Sequence, residues 1–188
     1  MLKQYLNQIS PLSNEEWTAF QSILKKEILS KKHFFLLQGE VCNRSAFVEK
    51  GLFKISLTDS KGNERIVQIN PENTFISDCE SYQQQKPSEL TIEPLEDSEI
   101  WVFKNIDLQA LCKNFPIFDK IGRQVTHQIL SYYKEHINLL MTKTPQERYE
   151  YLLKHYPTLI QRVSVTHLSQ FLGLTRETLS RLRGKIMY

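Results

Sequence analysis

Residues 164–183 read Ser164-Val165-Thr166-His167-Leu168-Ser169-Gln170-Phe171-Leu172-Gly173-Leu174-Thr175-Arg176-Glu177-Thr178-Leu179-Ser180-Arg181-Leu182-Arg183. The stretch encodes two short amphipathic helices around one glycine. Ser164 caps a first helix whose inward positions are Leu168, Phe171 and Leu172. Ser169 is small where two crossing helices approach closely. Gly173 allows the positive backbone angle that reverses the chain within about three residues. Leu174 plugs the corner and Thr175 caps a second helix, along which Leu179, Leu182 and Ile186 form the buried stripe. Arg176, Glu177, Ser180 and Arg181, with Lys185 one turn on, take the opposite face. This is helix-turn-helix grammar, in which one side fixes the crossing angle and the other is a polar helix able to enter a major groove.

The chemistry of that face suits duplex DNA. Arginine bonds guanine O6 and N7 bidentately, and glutamate accepts from the cytosine amine. The hydroxyls of Ser164, Thr175, Thr178 and Ser180, the Lys185 ammonium and the amides of a helix N-terminus suit phosphate oxygens. Arg176 and Arg181 differ by roughly 140° around the helix and about 7.5 Å along it, enough to reach neighbouring base steps. A plainer reading stays open beside this one: Glu177 and Arg181 are four residues apart and could pair on a solvated helix. Charge is divided the same way as the motif. Residues 1–142 hold 16 Lys/Arg and 18 Asp/Glu, a net of −2, whereas residues 143–188 hold 8 and 3, a net of +5. A basic C-terminal quarter on a mildly acidic body fits a polyanionic partner.

Upstream, Thr144-Pro145-Gln146-Glu147 starts a helix with a Thr cap, a proline at its first position and a capping-box Glu. Before it, Pro116 opens a longer helix over roughly 116–141. Ile121, Val125, Ile129, Tyr132 and Leu139 or Leu140 form its apolar stripe. The stripe reads as a dimer seam, the other reading being a helix packed on its own barrel. Residues 105–112 predict a short helix. Between His33 and Lys104, short apolar segments alternate with turns. Strands are predicted at 34–37, 46–48, 52–57, 65–69, 89–93 and 99–103, with a hairpin across Asp59-Ser60-Lys61-Gly62-Asn63. They suggest a compact antiparallel barrel or roll. Ser13-Asn14-Glu15-Glu16 caps an amphipathic helix near 14–27.

The chain has 188 residues, 40% of them hydrophobic and 24% charged, which can bury a core and excludes a wholly disordered chain. Apolar runs such as Phe34-Phe35-Leu36-Leu37 are far too short to cross a membrane, and the N-terminus shows no secretory pattern. Cys42, Cys79 and Cys112 lie 37 and 33 residues apart, an odd count that fits reduced thiols and a cytoplasmic setting. They are too scattered for an iron–sulfur cluster. The five histidines lack paired metal-ligand spacing. Solvated or seam positions are expected for His127 and His136, and a buried, inert thiol for Cys79. No His-x-His strand pair, nucleophile elbow or phosphate loop is present, so the sequence argues against an enzyme and implies neither metal nor cofactor.

Thr-Arg-Glu-Thr-Leu-Ser-Arg at 175–181 resembles the recognition-helix motif of the Crp/Fnr superfamily of bacterial transcription regulators. Gln38-Gly39-Glu40, Val48-Glu49-Lys50-Gly51 and Leu95-Glu96-Asp97-Ser98-Glu99 are similar, in order, to that family's cyclic-nucleotide-type roll. The resemblance implies an α+β chain in three parts. Residues 1–113 would be a sensory antiparallel β-roll of double-stranded β-helix type, 114–142 a dimerisation helix, and 143–188 a winged-helix-like helix-turn-helix. It further implies a homodimer on a palindromic operator, RNA polymerase as a partner, and base-reading roles for Arg176, Glu177 and Arg181 with Ser180 nearby. A sensory module that binds an effector without specific DNA recognition is the alternative.

Nucleotide-binding members of the family carry a cassette of Phe-Gly-Glu, then an Arg before a small residue. In this chain the Gly, Glu and Arg positions read Ile76, Ser77 and Ser88, with Glu89 beside the last. A carboxylate there repels phosphate, and Lys86 lacks the planar fork of arginine. The expectation is therefore no tight binding of cAMP, and the residues name no other effector.

Overall fold

The computed structural model describes residues 1–186, with the side chain of Ile186 outside that description. Two helices, α1 (Leu2–Ile9) and α2 (Asn14–Ile23), precede strand β1 (Lys25–Leu29). Strands β2 (Arg44–Lys50), β3 (Phe53–Thr58), β4 (Glu64–Asn70) and β5 (Phe75–Ile76) follow. Helix α3 (Cys79–Gln84) then leads into β6 (Leu90–Pro94) and β7 (Ser98–Lys104). The remaining elements are α4 (Asn105–Asn114), α5 (Ile117–Thr142), α6 (Pro145–His155), α7 (Pro157–Arg162), α8 (Val165–Leu172) and α9 (Arg176–Ile186). All strand pairs are antiparallel and form two sheets, ordered β1-β7-β2-β5 and β4-β3-β6.

Ser13 and Glu16 form the expected capping box, but α2 stops at Ile23. Residues 25–29 pair instead with Val102 to Ser98 of β7, because sheet pairing outweighs the helical tendency of Lys-Lys-Glu-Ile-Leu. Phe34–Leu37 makes only a single bridge, Leu36 to Ile92. At Gly51 φ is +111°, and a Cβ there would stand 2.1 Å from Ser98 Oγ, so only glycine fits this turn.

Phe53, Ile55, Val48, Ile76, Ile92 and Ile100 fill the space between the sheets. A bulge in β4 opposite Ile55/Ser56 then changes its parity. Ile66 and Ile69, three residues apart, consequently both leave the roll's interior. They join Leu139 of α5 and Leu152, Leu159, Leu168, Phe171, Leu172 and Leu179 from the C-terminal helices in one buried cluster. Each fully buried Leu of this kind contributes about 1.5–3 kcal/mol. The C-terminal helices are thereby seated on the outer face of the three-stranded sheet. Residues 143–186 contain helices and connections only, so the helix-turn-helix stands there without a β-wing.

Helix α5 corrects the seam reading. Ile121 is buried among Leu2, Leu6, Phe20 and Phe118, and the Tyr132 hydroxyl accepts from the Ile69 amide at 3.5 Å. The stripe picked out by periodicity is thus the face α5 turns toward its own roll, with Val125 and Ile129 half-buried along it. Leu130, Ile137 and Met141 are 65%, 60% and 80% exposed. At about 100° per residue they fall within roughly 40° of one another, on the side opposite Ile121. Among the described residues no helix is long and apolar enough to cross a membrane.

Candidate nucleic-acid interface

The helix-turn-helix forms through local bonds that its sequence specifies. Ser164 Oγ accepts from the His167 amide at 3.1 Å and starts α8. Gly173 ends it at φ 64°, and the Leu174 amide returns to the Ser169 carbonyl at 2.8 Å. Thr175 Oγ1 accepts from the Thr178 amide at 3.2 Å and opens α9. Leu168, Ser169, Phe171, Leu172 and Leu179 are buried and Leu182 half-buried, while the place of Ile186 in that stripe lies outside the described residues.

On the other side of α9, Arg176, Glu177, Ser180, Arg181 and Lys185 are exposed, as are Ser164 and Thr175, and Thr178 is half-buried. Glu177 and Arg181 make no ion pair with each other. The intrahelical pairing that offered a plainer account of these charges is therefore not formed.

Three side chains that sequence reasoning missed fix this unit in place. Arg148 donates to the Leu140 and Lys143 carbonyls at the end of α5, at 2.6 and 2.9 Å, and to Leu172 at the end of α8 at 3.0 Å. One guanidinium thus satisfies the last carbonyls of two helices, where a cation also opposes the helix dipole. His136 is buried, correcting the expectation of a solvated or seam position. Its ring stacks on Phe171 at 4.2 Å, and Nε2 donates to the Phe171 carbonyl at 2.8 Å. Burial holds its pKa below the usual imidazole value. Arg162 of α7 bridges to the roll, reaching Glu72 at 2.8 and 3.0 Å and Glu96 at 2.5 Å. Burial works to raise the Glu72 carboxyl, but the Arg162 bonds overcome it and hold the group below the usual range. Glu72 also accepts from the Gly51 amide at 2.9 Å, tying the clamp to the tight turn.

At the position of the family's phosphate cassette, polar groups satisfy one another. Ser88 is buried and donates to Asp78 Oδ2 at 2.6 Å, while Asp78 Oδ1 caps α3 through the Ser81 amide at 3.1 Å. A cavity of about 360 Å³ opens here, lined by Asp78, Glu80 and Glu89, with Lys86 as the one cation among the described residues. Ile76 is fully buried in β5.

Cys79 is exposed, against the expectation of a buried thiol, and it is Cys42 that is buried. Desolvation raises the Cys79 thiol, and burial with Asp119 nearby pushes Cys112 up to about 11. Neither is an activated thiolate at neutral pH. Among the described residues no group of His, Cys, Asp or Glu side chains is placed to hold a metal ion.

Residues 26–115 match the family described as the cyclic nucleotide-binding domain. No curated protein matches the sequence significantly. Among solved structures, FixK2 from Bradyrhizobium japonicum is 19% identical with a TM-score of 0.77, the match covering 88% of this chain and 85% of that one. A putative transcriptional regulator of the Crp/Fnr family from Eubacterium rectale is 16% identical with a TM-score of 0.74, over 98% and 88% of the two chains. The c-di-GMP-responsive global regulator CLP from Xanthomonas campestris is 16% identical with a TM-score of 0.72, over 93% and 92%. The likeness seen in the C-terminal motif therefore extends along the chain as a likeness of fold. The match to the cyclic nucleotide-binding domain thus spans residues 26–115, and the chain shares the α+β fold of these solved regulators.

Proposed function

We propose that this chain is a sequence-specific DNA-binding transcription regulator of the Crp/Fnr type, a homodimer that does not answer to cAMP, rather than an enzyme. The observation that carries the reading is α9: its inner side is locked into the core, while its outer side presents two arginines, a glutamate and a serine to solvent. In this reading Arg176, Glu177 and Arg181 meet base edges, with Ser180 beside them. Ser164, Thr175, Thr178 and Lys185 meet phosphates. Residues 1–113 form the sensory part, 114–142 the connecting helix and 143–188 the DNA-binding part. The second protomer packs on Leu130, Ile137 and Met141, a stripe of the 7- and 4-residue spacing that helix pairs use. Two α9 helices then face DNA about 34 Å apart and call for a palindromic operator. Such a partner places the protein in the cytoplasm.

The cassette supports the negative part of the proposal. Serine cannot replace the charge of a phosphate-binding arginine, and Asp78 already holds the Ser88 hydroxyl. Selection of bound duplexes from a random pool, followed by titration of the selected site and a scrambled duplex across a salt series, tests the reading. A palindromic site bound at least 10³-fold more tightly than the scrambled duplex is expected. Equal, weak binding to both would favour the effector-binding module without DNA recognition. Calorimetry with cAMP should show no micromolar binding.

A further inference from the structure

An apolar cavity of about 240 Å³ lies between α5, the N-terminal helices and the roll, across the segment 77–80 from the acidic cavity. Phe20, Phe75, Phe103, Phe118, Ile121 and Ile129 stand in its wall, and among the described residues no charged side chain lines it. The chain alternates across the two spaces: Ser77 and Cys79 face this cavity, while Asp78 and Glu80 face the acidic one. The Ser45 hydroxyl is bonded to Ser77 at 2.8 Å and to Asn105 Oδ1 at 2.6 Å. With its one proton donated to Asn105, Ser45 accepts from Ser77 and the polar end of the cavity is already paired. Thr126 gives its proton to the Gly122 carbonyl at 2.9 Å and keeps acceptor capacity.

Gly122 explains why the space is open. It sits inside α5, where glycine costs about 1 kcal/mol relative to alanine. Yet a Cβ built there would meet nothing within 4 Å, and its φ is not positive. Neither backbone strain nor close packing requires the glycine; what it does is leave room. It also lines a wider cleft of about 600 Å³ between α4 and α5, which shares Leu108, Phe118 and Thr126 with the cavity and offers a way in.

We propose that this cavity binds a neutral, largely apolar small molecule carrying at most one hydroxyl. A cavity of about 150 Å³ lined by aliphatic and aromatic side chains holds benzene, so this one suits about two fused rings. A charged ligand would be desolvated without a partner and is excluded on the same physics. The proposal concerns binding alone and goes beyond the DNA reading. It is measured without DNA, so its failure would leave that reading standing.

The probe is 2-naphthol, titrated into the full chain by calorimetry, with alkylation of Cys79 followed by peptide mass spectrometry. The expected result is saturable binding, with 2-naphthoate at least tenfold weaker, and slower alkylation of Cys79 at saturating naphthol. Gly122→Leu should fill the cavity and weaken naphthol at least tenfold. Gly122→Ala should raise the melting temperature and keep most of the binding, so that lost binding is separated from lost folding. Binding that is unchanged in Gly122→Leu, equal for naphthoate, or without effect on Cys79 would overturn the proposal. So would alkylation of Cys79 that slows with protein concentration and ignores naphthol, since a second copy of the chain would then be the occupant.

Discussion

The outer face of α9 and the cassette at 76–90 are both polar surfaces built on short helices, and they treat their polar groups in opposite ways. At the cassette, Ser88, Asp78, Ser81 and the Lys86 carbonyl are linked in one chain of hydrogen bonds. On α9, the cap Thr175 is occupied by the Thr178 amide, whereas Arg176, Glu177, Ser180 and Arg181 extend into solvent. A polar group already paired in the protein has little to gain from a ligand, because binding must first break that bond. Residue type alone does not separate a binding surface from a structural one; the unused hydrogen-bonding capacity does.

The largest effect expected from this contrast concerns the assembly that would present two α9 helices together. The double variant Leu130→Asp/Ile137→Asp puts charges on the exposed stripe and leaves the inward face of α5 intact. It should be monomeric by light scattering, with an unchanged circular dichroism spectrum and operator affinity reduced by more than 10². Val125→Asp/Ile129→Asp, on the half-buried side, should instead lower thermal stability. A chain that stays dimeric after the first pair of changes would remove the outward stripe as the seam.

Next in size is Arg181→Ala, which should cost about 1–3 kcal/mol on the operator and relax preference at one symmetric base pair. The scrambled duplex should lose much less. Equal losses on both duplexes would make Arg181 a phosphate contact and move base reading to Arg176 and Glu177. Ser88→Ala, in the paired surface, should change neither affinity.

These two predictions also mark where the sequence was legible. The helix-turn-helix is written locally: a cap, a turn glycine and a period of apolar residues all lie within twenty positions, so nothing distant was needed to read it. In α5 two apolar stripes run on different sides of the helix, one through Ile121, Val125, Ile129 and Tyr132 and the other through Leu130, Ile137 and Met141. Periodicity picks out the first, but which one is covered depends on α1, α2 and the roll. The helical pattern near 14–27 runs into the start of β1 because Lys25-Lys26-Glu27 favours either state until β7 pairs with it. Arg162 gave no local signal at all, since its partners Glu72 and Glu96 lie 90 and 66 positions away. His136 was equally silent, because its neighbour Phe171 is brought to it only by the seating of α8 on the sheet.

His136 is the interior counterpart of the α9 arginines, a polar group fully engaged by the protein. Its pKa is lowered on folding, so between the folded value and about 6.5 the unfolded chain binds more protons. Its stabilising contribution is therefore complete above about 6.5 and lost as pH falls toward the folded value. Urea unfolding at pH 7.5 and 5.5 should show a loss of stability on acidification that is smaller in His136→Leu, although that variant is less stable at both values. Arg148 of α6 and Glu135 of α5 are the charged groups nearest this site, and neither is altered by the change. An identical pH dependence in the two chains would mean that the ring is not held neutral by burial.

The smallest effect belongs to Lys185, which is exposed in the last turn of α9, beyond the arginines. In that position a lysine meets the duplex as a point charge near phosphate, without the fork needed to distinguish bases. Each phosphate neutralised on B-DNA contributes about 0.9 to the slope of log affinity against log salt. Lys185→Ala should therefore weaken operator and scrambled duplex alike and lower the slope by about one per protomer, while Lys185→Arg should restore it. The measurement is the slope itself, taken on both duplexes between 50 and 200 mM salt. A slope that stays the same in Lys185→Ala would end the contact surface at Arg181. A loss confined to the operator would instead give Lys185 a part in base reading and extend the sequence-reading face by one helical turn.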